Sequence, residues 1–158
     1  MANSLYDKVR PAFALAQINW ATDNIKVAVL GPTYTGGTVA TQNDEFYSSI
    51  AAHTLVGTTP IRSLTNKVTS MGVSPNIIYG ALSANPVTFV ALTANQTIGY
   101  LVIFKDPDVN NIDGPPALGN QGSAQLIALM DSGYGIGAGT NGQNIQITWD
   151  LTNGIMRL

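Results

Sequence analysis

Few side chains in this 158-residue sequence can hold, move or attack with a proton. There is one histidine (His53), one glutamate (Glu45) and no cysteine. Without cysteine, thiol catalysis, thiolate metal centres and disulfide staples are excluded, and one imidazole cannot make a His-cluster metal site. A catalytic imidazole needs an orienting carboxylate and a nucleophile. His53 lies in Ala51-Ala52-His53-Thr54-Leu55, and no G-x-S-x-G elbow surrounds any serine. A structural or surface histidine is the simpler reading. Asp7, Asp23 and Glu45 could supply the carboxylate pair of a glycoside hydrolase. Nothing in their spacing pairs them, and Asp23-Asn24 suits a turn ahead of a strand.

Two loops look like ligand sites. The run Gly133 to Gly142 contains G-x-G-x-x-G as Gly137, Gly139 and Gly142. A dinucleotide site needs those glycines to open a helix that receives the pyrophosphate. The residues from Gln143 to Asp150 instead alternate like a strand, so the run is a connection between strands. Asp106, Asp108, Asn110 and Asp113 crowd oxygen ligands as a calcium loop would. An EF-hand wants Gly and Glu where Asn111 and Ala117 stand. An ordinary turn-rich loop is the better reading, with a non-EF calcium site as its alternative.

The elements that must position these groups read as mainly β. Leu5, Val9 and Phe13 share a helical face, so residues 4–16 are expected to be helical, kinked or split by Pro11, with Ser4 and Asp7 as a capping box. In Asn24–Leu30 the period becomes two: Ile25, Val27 and Val29 face inward, and Lys26 and Ala28 face out of a half-buried strand. Gly36–Gly37 marks a turn, and Asp44–Ala52 suits a short helix with Phe46 and Ile50 inward. Strands are expected at Ile61–Leu64, Lys67–Thr69, Asn76–Tyr79, Val87–Leu92, Ile98–Lys105, Gln125–Met130, Ile145–Leu151 and Ile155–Leu158. Asn153-Gly154 is a hairpin signal between the last two. Asp106–Ser123 reads as a long, partly mobile surface loop. Residues 1–158 thus form one domain, an antiparallel β-sandwich or jelly-roll-like fold with a short N-terminal helix.

Composition narrows the function. Only 16 residues are charged, 10% of the chain against roughly a quarter in ordinary domains, while Asn, Thr, Ser and Gln number 46. A net charge of −2 gives no field for nucleic acid or an acidic membrane. No apolar run reaches the roughly 20 residues of a membrane span. Asp7, Lys8 and Arg10 precede any apolar run, which is wrong for a signal peptide and suggests synthesis in a cytoplasm. The sequon Asn95-Gln96-Thr97 then carries no weight.

The order of pieces resembles a family of small tailed-bacteriophage virion structural proteins. It is carried by Leu5-Tyr6-Asp7-Lys8, Phe13, Ile18-Asn19-Trp20 and Asp23 to Leu30. Val87-Thr88-Phe89, Leu101 to Asp106, Leu126-Ile127-Ala128, Ile147 to Asp150 and Asn153-Gly154-Ile155 continue it. The likeness spans the chain, weakest over 31–86; Pro11 and the run 133–142 depart from it. It implies a non-enzymatic capsid cement or decoration protein, made in the host cytoplasm and resident in the virion. The implied partners are the major capsid protein and further copies of itself, a homotrimer being the first guess. No catalytic residue, metal, cofactor, nucleic acid, membrane or small-molecule substrate is expected.

Contacts are assigned to the N-terminal segment (Leu5, Tyr6, Arg10, Phe13), to Trp20, and to Asp106, Asp108 and Asp113 in the loop ending at Pro116, because termini and long loops are free to engage neighbours. The alternatives are a tail or baseplate component, or a carbohydrate-binding β-sandwich. The latter would stack sugar on Trp20 or Tyr134 and hold calcium in the 106–113 loop. Phe89, Phe104 and Trp149 lie in apolar strands and belong to the core.

Overall fold

The structure, a computed structural model, describes residues 4–35, 38–74, 77–134, 136–149 and 155–157. Strand β2 (Ile25–Leu30) is its spine. It lies between β4 (Ile61–Ser63) and β8 (Tyr100–Lys105) in an antiparallel five-stranded sheet. The sheet is completed by β9 (Leu126–Met130) and β1 (Ser4–Leu5), in the order β1-β9-β8-β2-β4. Two three-stranded sheets accompany it. One orders β10 (Ile145–Ile147), β7 (Val87–Leu92) and β3 (Gly57–Thr59); the other orders β11 (Met156–Arg157), β6 (Ile77–Ser83) and β5 (Val68–Ser74). With 36% strand and 14% helix the fold is mainly β and sandwich-like, as expected.

Period two sends alternate residues of β2 to opposite faces. Ile25, Val27 and Val29 join Leu101 and Ile103 of β8, Phe89 and Val87 of β7, Ile147 of β10, and Trp20 and Trp149 in one apolar cluster. Ala28 and Leu30 join Val102, Phe104 and Leu129 in a second cluster on the other face. A β-bulge lies between Ile103 and Phe104, which pair with Ala128 and Leu126 and pass over Ile127. The extra residue turns Ile127 and Ala128 into the same cluster.

The half-buried reading of β2 is corrected: all six of its residues are buried, Lys26 included. The segment after β2 folds back over the outer face. It contains α2 (Thr38–Asn43) and two 3₁₀ turns, Tyr47–Ser49 and Ala51–His53, and it inserts Tyr34, Ala40, Tyr47 and Ile50. These turns replace the helix expected over Asp44–Ala52; Ile50 is inward and Phe46 half-buried.

The opening helix is shorter than expected. Residues 4–5 pair with β9, and α1 runs only Val9–Ala14, starting after Lys8 without a side-chain cap. Pro11 is tolerated because amides of the first turn have no intrahelical acceptor. The expected terminal hairpin is also corrected. Strand β10 pairs with β7 and β11 with β6, so the last two strands enter different sheets. The Asn153-Gly154 signal, the Gly36–Gly37 turn, Gly135 and the ends of strands expected at Asn76, Asp150, Leu151 and Leu158 lie outside the described residues.

One glycine is dictated by crowding. A β-carbon on Gly99, just before β8, would come within 2.6 Å of the Gly31 backbone just after β2. The Gly99 amide donates to the Leu30 carbonyl at 2.8 Å. The two connections therefore cross in backbone contact.

Candidate functional sites

The acidic loop is organised by a lysine. Because Lys26 is on the second face of β2, its ammonium lies beside the end of β8, where Asp106 follows Lys105 in sequence. Lys26 Nζ is 2.8 Å from Asp106 Oδ2, and neither side chain is exposed to solvent. The ammonium also donates to the Gly114 carbonyl at 3.0 Å. Gly114 presents that carbonyl from the left-handed region at φ +89°, which favours glycine. The loop thus closes around a cation that the chain itself supplies.

Further bonds tie the loop down. Asn111 Nδ2 donates to Asp106 Oδ2 and to the Pro115 carbonyl, each at 2.9 Å. The Asp108 amide donates to Asp106 Oδ1 at 3.0 Å, and the Asn110 amide to Asp108 Oδ1 at 2.9 Å. From outside, Asn24 Nδ2 donates to the carbonyls of Asp108 and Asn111 at 2.7 and 2.8 Å. Ser63 donates to Asn24 Oδ1 and stands against the Ile112 carbonyl. Arg62 Nη1 reaches Asp113 Oδ2 at 2.8 Å. Within the loop expected over Asp106–Ser123, residues 106–115 are bonded along their length. Each tie leads to β2, to β4 or to the residue just before β2.

These bonds use the loop's polar atoms and leave apolar ones outside. Val109 is 70% exposed, Ile112 69% and Leu118 88%, whereas Pro116 in the same stretch is buried. Elsewhere Leu15 and Val56 are exposed to a similar degree, at 68% and 67%, so what sets these side chains apart is the bonded loop that carries them.

A second candidate is an open cleft of about 300 Å³ over the second cluster, lined by Tyr34, Thr35, Ala40, Asn43, Asp44, Ser49 and His53. Tyr34 donates its hydroxyl to Asp44 Oδ2 at 2.7 Å and lies 3.1 Å from the Tyr6 hydroxyl. Burial raises the pKa of both phenols; at Tyr34 the neighbouring Tyr6 and Asp44 raise it further. At Tyr6 the hydrogen bond with Tyr34 partly opposes burial. His53 Nδ1 is 3.2 Å from Thr33 Oγ1, and its ring tilts against Tyr34. Asp44, the carboxylate lining the same cleft, is thus engaged by a phenol. The polar rim could hydrogen-bond a small hydroxyl-rich molecule. The local signal for this site was Tyr34 and His53 on either side of Asn43-Asp44, too weak to mark a cleft in advance.

The residues assigned to contacts separate into two groups. Arg10, Asp108 and Asp113 are at least partly exposed, and Leu5 and Phe13 are half-buried against the first cluster. Tyr6, Trp20 and Asp106 are interior, which removes them from any surface a partner could meet. Tyr6 follows β1 into the second cluster, Trp20 donates its indole N–H to the Ser83 carbonyl at 3.0 Å, and Asp106 holds Lys26. Of the rings suggested for stacking sugar, Trp20 meets the same objection as core, while Tyr134 is half-buried and packs edge-on to Trp149. Among the described residues no group of three or more His, Cys, Asp or Glu side chains is placed to hold a metal.

Comparison of the chain with protein-family models, curated proteins and solved structures gives no match.

Proposed function

We propose that this chain is a non-enzymatic virion structural protein of a tailed bacteriophage, a capsid cement or decoration protein that binds the outside of the head shell. The observation that carries the reading is the bonded 106–118 loop, which holds Val109, Ile112 and Leu118 in solvent on a preorganised support. Association costs conformational entropy, and a loop ordered beforehand has already lost it. Apolar side chains can be covered by a partner at little desolvation cost, and the Asp113 carboxylate beside Ile112 is already paired with Arg62. Repetition over a symmetric shell turns a modest contact into avidity. The resemblance carried by residues 5–30 and 87–158 supports the same class.

Purified virions analysed by quantitative mass spectrometry should contain the chain in hundreds of copies. About six or twelve copies, the symmetry of portal and tail, would move it to those structures. Its absence would remove the reading. Val109→Asp with Ile112→Asp should lower occupancy of shells lacking the protein by tenfold or more, with the thermal unfolding of the free chain unchanged.

A further inference from the structure

The open cleft over the second cluster contains a carboxylate that is held in place from inside. Asp44 Oδ2 accepts from the Tyr34 hydroxyl at 2.7 Å, and that hydroxyl has one hydrogen to give. In the 3.1 Å contact between the two phenols Tyr34 is therefore the acceptor and Tyr6 the donor. Both rings are buried, so two interior hydroxyls in series direct their hydrogens toward one carboxylate of a solvent-open hollow. Such a chain polarises along its length and fixes the group at its end. The other Asp44 oxygen has no partner among the described residues.

The remaining lining is neutral and can bond in both directions. Thr35, Asn43 and Ser49 are exposed, and their side chains are without partners among the described residues. A hydroxyl or a carboxamide both donates and accepts. Among the described residues no lysine or arginine lines the cleft, and Lys8 is tied to the neighbouring Glu45. His53 contributes a ring, tilted at 56° to Tyr34 with centroids 5.5 Å apart, and Ala40 a methyl group.

We infer that the cleft binds one sugar ring, with Asp44 and Asn43 taking two of its hydroxyls and the His53 ring meeting its C–H face. The lining selects a ligand whose groups both give and take hydrogens, as hydroxyls do. A phosphate or a carboxylate would meet the Asp44 charge with no cation to offset it. An ammonium only donates, so it would leave the hydrogens of Thr35, Asn43 and Ser49 unused. A volume of about 300 Å³ is at the lower end for ligand sites and suits a single ring. This place is distinct from the stacking rings Trp20 and Tyr134, and the inference stands whether or not the virion reading does.

Saturation-transfer difference NMR tests it on the full chain, with the methyl glycosides of glucose, galactose, mannose and N-acetylglucosamine as probes. At least one should receive transfer, with a dissociation constant on the order of millimolar. Asp44→Asn and Asn43→Ala should each weaken that binding about tenfold, with circular dichroism matching the parent. If Asp44→Asn fails to fold, Ser49→Ala at an exposed position replaces it, again with weaker binding expected. Silence across the four glycosides overturns the inference, as does a glycoside whose binding none of these variants changes. Tetramethylammonium should not displace the bound glycoside. Displacement by it would assign the cleft to a cation and overturn the sugar.

Discussion

The two faces of β2 are built from different chemistry. On one, Ile25, Val27 and Val29 pack into an apolar cluster that includes the rings of Trp20 and Trp149. On the other, Ala28 and Leu30 share their layer with a buried ammonium, a buried carboxylate and a pair of hydrogen-bonded phenols, of which Tyr34 bonds to Asp44. The first face needs volume and little else, and gains roughly 25 cal/mol for each Å² removed from water. The second requires particular atoms at particular places, because a buried polar group without its partner costs more than the bond gains. What the polar face returns is position: every group in it holds a surface loop, 106–115 through Lys26 and the cleft through Tyr34.

Breaking the ion pair should separate the two faces most sharply. Asp106→Ala leaves the Lys26 ammonium buried without its carboxylate and should cost about 3–5 kcal/mol by urea denaturation. Replacing both, Lys26→Met with Asp106→Leu, should recover most of that stability. The 106–118 loop should nonetheless become sensitive to limited proteolysis, because the loss of position is not repaired. A double variant that leaves the loop resistant would show that Asn24 and Arg62 suffice to hold it. On the apolar face Phe89→Ala should cost about 3–4 kcal/mol, with the loop as resistant to protease as in the parent.

A smaller effect tests the phenols. Tyr34→Phe removes a bond to Asp44 and should cost about 1–2 kcal/mol at neutral pH. In the folded chain the Tyr6, Tyr34 and Tyr47 phenols ionise at higher pH than free phenols, burial being the leading cause. The protonated form is thus favoured by folding. Its contribution to stability is complete below the ordinary phenol value near 10 and is lost as pH rises above it. Titration followed at 295 nm should show these three of the six tyrosines ionising only as the fold is lost. The smallest change in stability, within about 0.5 kcal/mol, is expected for Val109→Asp with Ile112→Asp, whose side chains lie outside both faces.

Period two in residues 24–30 was legible in the sequence, as were the strands at 87–92, 100–105 and 126–130, because alternation or a dense apolar run reports directly on a buried strand. The fate of Lys26 was not. A lysine in a strand reads as solvent-facing unless its counter-ion is known, and Asp106 arrives 80 residues later. The acidic loop was located correctly, and the internal cation that orders it was invisible for the same reason. Trp20 was read as a surface ring, and its burial with the bond to the Ser83 carbonyl places it in the core. Val109 and Ile112 were inside the loop assigned to contacts, but Asp and Asn attracted the assignment there, and the structure shows those polar groups largely turned to internal bonds.

Strand β1 pairs Ser4 with Leu129 and Leu5 with Ala128. During synthesis those partners leave the ribosome long after the strand itself has emerged. Until then residues 4–6 have no sheet to join, and Tyr6 has no second cluster to enter. Sheet closure at this edge is therefore a late event, and a topology so rich in distant pairings belongs to the slower folders. Shortening the chain from its C-terminal side as far as β9 would leave the opening segment without a partner.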